Sequence, residues 1–424
     1  MAALLIIFMV VLMCFGVPIF LAIGIPTSLY FIVEDPTLLL MVGQRMVGGV
    51  NNFSLLAIPF FILTGELMNA GSLTQRLFAV ARKSVGRFPG GLGLANVVAS
   101  CLFASMSGSA VADTAGLGRV EMKAMEEAGY DRDFSIGITV ASSTIGPIIP
   151  PSINMVLYGS ICGASIGQLF LGGIVPGLLM GLSMMVLVVY FSIKRKYPVD
   201  AKPKFKEVLQ AFKSSFLTIL TPIIIIGGIL SGVFTPTEAA AIAAAYAFIL
   251  SVFVYRDLSI KKIIDSFANT VASSGMILII MAMANVFAYV LSRERIPQMV
   301  LEFLFQFSDN RVVIWLLLLL FFFVVGFFME VAAAITVLTP ILLPALTALG
   351  FDMVHFGVIM VMMLGVGLLT PPVGLCLYVG SNVSGLPLDR VIKATTPYLI
   401  PIIIVVLLCT FIPQLVTFIP NMIG

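Results

Sequence analysis

Long apolar runs dominate the chain. A helix needs about 20 apolar residues to cross a hydrocarbon core of about 30 Å. Seven runs meet this length: 3–33, 51–70, 168–192, 214–231, 236–255, 270–292 and 395–419. Two further runs, 134–165 and 355–382, are interrupted by glycine and proline at 146–151 and 367–372. The pattern predicts an all-α polytopic membrane protein with nine crossings, two of them made by broken helices.

The segment 90–128 has a different pattern. Its apolar part 110–118 is followed by five charged residues within the next nine: Arg119, Glu121, Lys123, Glu126 and Glu127. Nine residues of helix rise only about 13 Å, and each lipid-facing charge near the bilayer centre costs about 2.5–3.5 kcal/mol. We therefore predict a re-entrant hairpin that turns at 105–109 near the midplane, surrounded by protein or water.

The sequence also repeats itself at an offset of 221 residues. Gly146 then falls on Gly367, Pro150-Pro151 on Pro371-Pro372, and Pro176 on Pro397. This register predicts a second hairpin at 311–350 and two paired surface helices at 73–88 and 296–307. We expect a first repeat at 1–192, a basic loop with a linker helix at 193–235, and a second repeat at 236–424. Five crossings separate equivalent points, so the repeats are predicted to be inverted, which is typical of secondary transporters. A duplication retained only for packing is the alternative.

The basic residues indicate an orientation. With nine crossings, nineteen of the 23 Lys and Arg fall on one side, and the other side receives Arg45, Arg293, Arg295 and Arg311. Cytoplasmic loops carry the excess of Lys and Arg. The N-terminus and the loop 194–207 are thus predicted to be cytoplasmic and the C-terminus periplasmic. We interpret 1–33 as a retained membrane helix, not a signal peptide.

Composition narrows the function. The chain is 60% hydrophobic and 10% charged, whereas soluble domains carry about 25% charged residues. A net charge of +3 does not suggest a nucleic-acid partner. The five cysteines have no metal-ligand spacing, and the single histidine, His355, lies beside Asp352 at a predicted helix start, where a structural role is expected. No Walker, GxGxxG or CxxC motif is present, so we predict no enzyme and no cofactor beyond a coupling ion.

The broken helices carry the candidate chemistry. Three prolines at 147, 150 and 151 remove amide donors and unwind the helix. The partner segment 365–373 holds two prolines in the same register. Freed carbonyls can coordinate Na⁺ and half-helix N-termini attract anions. An ordinary proline kink is the alternative interpretation.

The two predicted hairpin tips differ in residue type. In the first, Ser105-Met-Ser-Gly-Ser109 offers hydroxyl and backbone oxygens, and Asp113 follows one turn later. An acid at that depth is expected to have a cation partner, unless it is neutral or caps a helix. In the second tip Glu330 takes the place of Ser109; it either serves a cation or proton site or only caps the returning helix.

Two further polar residues lie outside the tips. We expect Glu66 to make a structural hydrogen bond near Asn69. Arg45 is one of the four external basic residues. It is interpreted as an interface anchor, with a docking or substrate-entrance role left open.

Four strings together resemble the large membrane subunit of tripartite ATP-independent periplasmic (TRAP) transporters. They are LAIPFFILTGELMNAG at 56–71, MSGSAVAD at 106–113, GPIIPPS at 146–152 and LTPP at 369–372. The resemblance covers essentially the whole chain. It implies an elevator-type transporter, driven by a Na⁺ gradient, in which the hairpins and broken helices slide against a scaffold. It also implies a separate small four-helix membrane subunit, and a periplasmic binding protein that delivers an organic acid.

The resemblance also implies site residues. The first sodium site would use residues of the first tip and first break: Ser107, Gly108, Ser109, Asp113, Gly146, Ile149 and Pro150. The second would use their counterparts in the second repeat: Gly326, Met329, Glu330, Gly367, Thr370 and Val373. The substrate would lie between the sites, near Ser105, Ser152, Asn154 and Pro371.

We therefore predict Na⁺-coupled import of an organic acid across the bacterial inner membrane. A C4-dicarboxylate and a sugar acid such as sialic acid are the two substrate classes that the sequence leaves open. A stand-alone ion-coupled carboxylate carrier without a binding protein is the alternative. An intramembrane hydrolase using Ser107 or Ser109 and a channel are two further alternatives, but no serine–histidine pair is evident for the hydrolase.

Overall fold

The structure is a computed structural model that describes residues 2–34, 36–200, 205–307 and 310–423. The described residues form helices and no strand. In the first half these are α1 (Ala2–Cys14), α2 (Ile19–Glu34), α3 (Leu39–Val50), α4 (Ala57–Ala70), α5 (Leu73–Val85), α6 (Gly91–Ser107), α7 (Ala110–Glu127), α8 (Arg132–Ser143), α9 (Ile153–Cys162) and α10 (Ile166–Arg195). In the second half they are α11 (Phe205–Leu230), α12 (Pro236–Ile249), α13 (Ile260–Arg293), α14 (Ile296–Phe307), α15 (Arg311–Gly326), α16 (Val331–Ala348), α17 (Met353–Gly367), α18 (Leu375–Ser384), α19 (Leu388–Phe411) and α20 (Gln414–Ile423).

The helices follow the repeat register. Shifted by 221 residues, α7 falls on α16 with identical bounds, and α6 falls within one or two residues of α15. The glycines after α7 and α16, Gly129 and Gly350, both have positive φ, +84° and +65°. Both Pro-Pro bonds of the breaks are cis. Each repeat therefore contains a helical hairpin followed by a broken helix, as the sequence predicts.

Both ends of the chain differ from the prediction. The run 3–33 is not one span: α1 ends at Cys14, and α2 begins after Gly16, whose φ is +75°, and Pro18. The run 395–419 is divided between two helices, because α19 ends at Phe411 before Pro413 and α20 then packs against α10, so the crossing ends eight residues earlier than predicted. A glycine with positive φ and a proline each end a helix inside an apolar run.

Three internal boundaries also differ. The linker helix α11 already begins at Phe205, and α13 begins at Ile260, ten residues before its predicted start. Helix α3 was not predicted, because its glycines and Arg45 conceal the apolar period. Residues 201–204 of the predicted basic loop, and the side chain of Cys14, lie outside the described part of the chain.

Within the described ranges, seven helical segments are long and apolar enough to cross a membrane: Phe53–Ala70, Ile166–Arg195, Lys206–Leu230, Pro236–Val254, Ile260–Arg293, Val331–Ala348 and Leu388–Phe411. Six of them match predicted crossings. The seventh is α16, the return helix of the second hairpin. Helix α7, its repeat partner, is absent from this set, consistent with its charges.

Contacts made by charged residues fall into two groups, one on each predicted side of the membrane. In the first, Arg82 binds Asp200 at 2.8 Å, Arg195 binds Asp131 at 3.1 Å, and further pairs join residues that the topology assigns to the basic side. The hydrogen bond to Asp200 raises the pKa of Arg82. In the second group, the hydroxyl of Tyr30 donates to Glu294 at 2.6 Å. Each pair joins residues assigned to one and the same side.

The surface helix α5 packs against the first hairpin and supports it. Its residues Leu73, Leu77 and Ala81 are fully buried, and the helix packs against α6 and α11. Its basic residues Arg82 and Lys83 lie in the last turn, where a cation interacts favourably with the helix dipole. The amphipathic pattern thus places α5 as a brace between the linker helix and the hairpin.

Candidate functional site

The first hairpin tip contacts the first break directly. Gly108, with φ +59°, forms the turn between α6 and α7, and a Cβ there would lie 2.7 Å from the carbonyl oxygen of Pro151. A Cβ on Gly146 would lie 3.1 Å from the carbonyl carbon of Ser109. Only glycine allows this approach of two backbones. The structure therefore brings the backbone of the first tip, at Gly108 and Ser109, against that of the first break, at Gly146 and Pro151.

The first break has carbonyl groups available for a ligand. Helix α8 ends at Ser143 and α9 begins at Ile153. The hydroxyl of Ser152 accepts from the amide of Met155 at 3.3 Å and donates to the carbonyl of Pro147. Within the described residues, no backbone amide donates to the carbonyls of Gly146, Ile149 or Pro150. These three groups are oxygen ligands of the type that Na⁺ takes at a helix break.

The second tip and break meet in the same way. A Cβ on Gly326 would lie 3.1 Å from Cα of Gly367, and one on Gly367 would overlap the backbone of Gly326. The amide of Val373 donates to the carbonyl of Phe327 at 3.3 Å. The carbonyls of Thr370 and Val373 accept no backbone hydrogen bond from the described residues. The second tip and break thus also form a junction with two carbonyls that lack backbone donors, and the sodium site there stays a prediction.

Ser109 and Glu330 both cap the helix that leaves the tip. The hydroxyl of Ser109 accepts from the amide of Ala112 at 3.3 Å. The carboxylate of Glu330 accepts from the amides of Ala332 and Ala333 at 2.8 and 3.3 Å. The capping interpretation of Glu330, which the sequence left open, is therefore present in the structure. Only one of its carboxylate oxygens makes these two bonds.

Asp113 lies one turn into α7 and is 1% exposed. Its Oδ2 atom has no hydrogen-bond partner among the described residues, and it belongs to no ion pair there. A buried ionised carboxylate without a partner is costly. A bound cation or a proton would offset this cost, and the cation partner expected from the sequence stays a prediction.

A cavity of about 310 Å³ lies between the two tips. The first tip contributes Ser107, Gly108 and Ser109, the second contributes Glu330, and Asn154 enters from α9. The opposite wall is formed by α4 and α13, with Glu66, Ser273 and Ile277. Its only charged lining residues, among those described, are Glu66 and Glu330.

The predicted substrate residues are distributed unequally. Asn154 lines the cavity, whereas Ser105, Ser152 and Pro371 do not. The hydroxyl of Ser105 instead donates to the carbonyl of Leu102 at 2.6 Å. Pro371 is exposed on the second break.

Glu66 makes a hydrogen bond, but its partner is not Asn69. The amide of Asn269 on α13 donates to the Glu66 carboxylate at 3.2 Å, and Asn69 accepts from Thr74 instead. Neither Asn269 nor Ser273 was predicted, because Asn269 precedes the predicted run 270–292 and Ser273 is a single polar residue within that apolar run. The available signal was a polar stripe on one helix face, since Asn269 follows Ser266 by three residues and Ser273 follows Asn269 by four.

The structural role expected of His355 is confirmed. Asp352 caps α17 by accepting from the amide of His355 at 2.7 Å. The ring Nε2 atom lies 2.9 Å from the carbonyl of Cys409. Among the described residues, no group of three His, Cys, Asp or Glu side chains could hold a metal ion.

Sequence reasoning also missed a polar cluster inside the first hairpin unit. The amide nitrogen of Asn96 donates to Glu121 at 2.8 Å and to Thr139 at 2.7 Å. The hydroxyl of Ser142 donates to the amide oxygen of Asn96 at 2.8 Å, and Ser100 donates to Ser142 at 3.0 Å. Glu121 is fully buried, a position that its charge in the sequence does not indicate. The cluster joins α6, α7 and α8 into one body.

Known proteins are similar to this chain along nearly its whole length. The family "Tripartite ATP-independent periplasmic transporter, DctM component" matches residues 6–415. The sialic acid TRAP transporter large permease protein SiaM of Vibrio cholerae is 41% identical, over 96% of this chain and 95% of that protein. The C4-dicarboxylate TRAP transporter large permease protein DctM of Pseudomonas aeruginosa is 37% identical, over 95% and 94%.

A solved structure supports the fold at lower sequence similarity. The YdaH transporter of Alcanivorax borkumensis superposes with a TM-score of 0.65, at 14% identity and over 91% of each chain. That likeness concerns the fold alone. The family match and the full-length relatives show that this chain belongs to the DctM family, the large membrane component of TRAP transporters.

Proposed function

We propose that the chain imports an organic acid across the bacterial inner membrane, coupled to an inward Na⁺ gradient. The observation that supports this most is the pair of tip–break junctions around one cavity. Each junction presents carbonyl oxygens without backbone donors, and each tip begins a helix whose N-terminus faces the cavity. Such half-helices are the ion and anion sites of secondary transporters.

Sodium would bind as a co-transported substrate at the two junctions. At the first, the carbonyls of Gly146, Ile149 and Pro150 and the hydroxyl of Ser107 are the available ligands. At the second, they are the carbonyls of Thr370 and Val373 with Gly326 and Met329. Asp113 would supply negative charge one turn from the first tip, where its Oδ2 atom has no partner among the described residues.

The substrate would bind in the cavity between the tips. Its described lining carries no Lys or Arg, and its charged residues are Glu66 and Glu330. A carboxylate can be held there only if cations and helix N-termini offset that charge. This coupling makes acid binding depend on Na⁺. Relatives named as sialic acid and C4-dicarboxylate permeases fit an organic acid as substrate.

The mechanism we propose is an elevator. Hairpins and broken helices pack on one another through α7, α8 and α18 and through α9 and α16, whereas α4 packs with α12 and α13. The cavity lies at the boundary between these two groups. Movement of the hairpin group past α4 and α13 would carry the cavity contents across the membrane. The side that holds most basic residues is cytoplasmic in this proposal.

Two partners complete the proposal, a small four-helix membrane subunit and a periplasmic binding protein. The test is uptake into proteoliposomes that contain the chain and its small subunit. An inward Na⁺ gradient is imposed, with labelled N-acetylneuraminate or succinate, in the presence and absence of the binding protein. We expect uptake only with both Na⁺ and the binding protein. Uptake with Na⁺ alone would identify a stand-alone carrier, and uptake unaffected by Na⁺ would refute the coupling.

A further inference from the structure

Two adjoining cavities lie beyond the cavity between the two tips, which we call the central cavity, on the side of α3. One has a volume of about 580 Å³ and the other about 430 Å³, and both are lined by Gly48 and Asn285. We call the two together the outer vestibule. Its walls are α3, α13, α16 and the C-terminal end of α9. It lies on the side that holds Arg45, opposite the basic side.

The outer vestibule continues the central cavity. Three helices line both spaces, and each contributes a residue to the vestibule four to six positions after its residue in the cavity. The pairs are Asn154 and Ser160 on α9, Ile277 and Met281 on α13, and Ala332 and Thr336 on α16. Four to six residues of helix rise about 6–9 Å. The two spaces therefore follow one another along a single route to the tips.

The charges along this route have opposite signs. The central cavity is lined by Glu66 and Glu330, whereas the only charged residue that lines the vestibule, among the described residues, is Arg45. The other polar groups of the vestibule are mostly amides: Gln44, Asn51, Asn52 and Asn285. An anion approaching the tips thus meets a guanidinium and neutral donors first, and carboxylates afterwards.

The Arg45 side chain is available for a ligand. It is exposed, and its guanidinium lies 4.4 Å from the ring centroid of Tyr289. Stacking on an aromatic ring fixes the guanidinium plane and leaves its edge donors unused. No Asp or Glu of the described residues forms an ion pair with it, in contrast to Arg82, which binds Asp200. A guanidinium edge matches the two oxygens of a carboxylate.

We propose that Arg45 and the amide side chains of the outer vestibule form a carboxylate-binding subsite, which receives the organic acid before it reaches the tips. The subsite rests on the proposed function, because it needs an acidic substrate. It explains how an anion approaches a cavity lined by two acids: the guanidinium offsets their field at the entrance until Na⁺ occupies the junctions.

The test uses a reporter cysteine inside the vestibule. Gly48 lines both of its cavities, and a Cβ there meets nothing within 4 Å. Gly43 lies on the same helix and is equally open, but it lines neither cavity. Gly48→Cys and Gly43→Cys are made in a chain whose five native cysteines are replaced. The rate of N-ethylmaleimide alkylation is then measured in proteoliposomes with NaCl, with and without N-acetylneuraminate or succinate.

We expect one of the acids to slow alkylation of Gly48→Cys at least about threefold and to leave Gly43→Cys unchanged. Arg45→Gln should abolish the protection, because the charged hydrogen bonds are lost, and Arg45→Lys should retain part of it. Arg311→Gln is the matched control: Arg311 also stacks on an aromatic ring, that of Phe351, at 4.7 Å, away from the vestibule. The Arg311→Gln variant should therefore leave the protection of Gly48→Cys by the acid intact.

Three outcomes would overturn the subsite. These are protection that survives Arg45→Gln, equal protection at both reporter positions, and protection by the binding protein alone with none by the acid, which would indicate a docking surface. The proposed function has a separate readout in the same vesicles. If the acid is taken up with Na⁺ but does not slow alkylation of Gly48→Cys, only the subsite is refuted. If the native chain shows no Na⁺-dependent uptake, the proposed function is refuted.

Discussion

The two tip–break junctions share a backbone plan but differ in their surroundings. In the first, every residue from 145 to 159 is buried. In the second, Pro371, Pro372 and Val373 are exposed, Val373 by 36%. Both breaks hold a cis Pro-Pro bond, and in both a glycine at the same register position, Gly146 or Gly367, lies close to the tip backbone. The capping residues differ, Ser109 in the first tip and Glu330 in the second. The repeat thus preserves the cis Pro-Pro break and one close glycine contact at each junction, while the capping residues and the surrounding packing have diverged.

The two hairpins also differ in how their helices are packed. The first holds a buried polar cluster around Asn96 and Glu121, which ties α6 and α7 to α8. In the second, α15 is apolar along its length, from Val312 to Val325, and packs mainly on α17 instead of on α16. Trp315 and Phe322 on α15 contact the ring of Phe356 on α17. The first hairpin is thus joined by hydrogen bonds and the second by aromatic packing against its own broken helix.

The largest effect is expected where two backbones touch. In Gly367→Ala the new methyl group overlaps the backbone of Gly326, and neither helix can move without opening the junction. Overpacking of this kind costs about 1–3 kcal/mol or more. We expect uptake to fall at least about tenfold, together with a lower unfolding temperature in detergent.

Gly365→Ala is the control for that variant. Gly365 lies on the same helix, and a Cβ there meets nothing within 4 Å. It should retain near-native uptake and stability, since alanine favours a helix. Native uptake by Gly367→Ala would contradict the close junction seen in the structure.

The next prediction compares substitutions of Asp113 and Glu330, the acids near the two tips. Asp113→Asn removes a buried charge whose Oδ2 atom has no protein partner. If that charge belongs to the first sodium site, the half-saturating Na⁺ concentration for uptake should rise about tenfold. Glu330→Gln keeps a carbonyl oxygen that can accept from Ala332 and Ala333, so its half-saturation should change less, within about threefold. An unchanged Na⁺ dependence in Asp113→Asn would remove that residue from the site.

A third experiment tests the polar cluster of the first hairpin. Asn96→Leu leaves Glu121, Thr139 and Ser142 without a shared partner in a buried site. An unpaired buried polar group costs about 1–3 kcal/mol, so the unfolding temperature of the complex should fall measurably. The double variant Asn96→Leu with Glu121→Leu should recover part of that loss, since both members of the pair become apolar. Equal losses in the single and double variants would argue against the Asn96–Glu121 hydrogen bond as the source.

The sequence predicted the parts of this fold that depend on local chemistry. Glycine and proline spacing located both breaks, and the 221-residue register located the second hairpin, whose apolar helices gave no sign of their own. Packing could not be predicted in the same way. Whether Glu66 binds Asn69 or Asn269, or whether Glu121 is buried, depends on which helix lies opposite, and hydrophobic periodicity carries no information about that neighbour. The ends were wrong for a related reason, since apolar composition does not show where a single Gly16 or Pro413 stops a helix.

The smallest effect is expected where the two repeats are most alike. Gly129 and Gly350 follow α7 and α16 with positive φ, and a Cβ on either meets nothing within 4 Å. Alanine at each position therefore costs only the left-handed backbone conformation, about 1 kcal/mol. We expect Gly129→Ala and Gly350→Ala to lower the unfolding temperature by similar, small amounts, and asparagine at the same positions to cost less, because it tolerates that conformation better. A loss several-fold larger in one repeat would show that its helix end has contacts the other lacks, and the equivalence of the two repeats would then fail even at the level of the backbone.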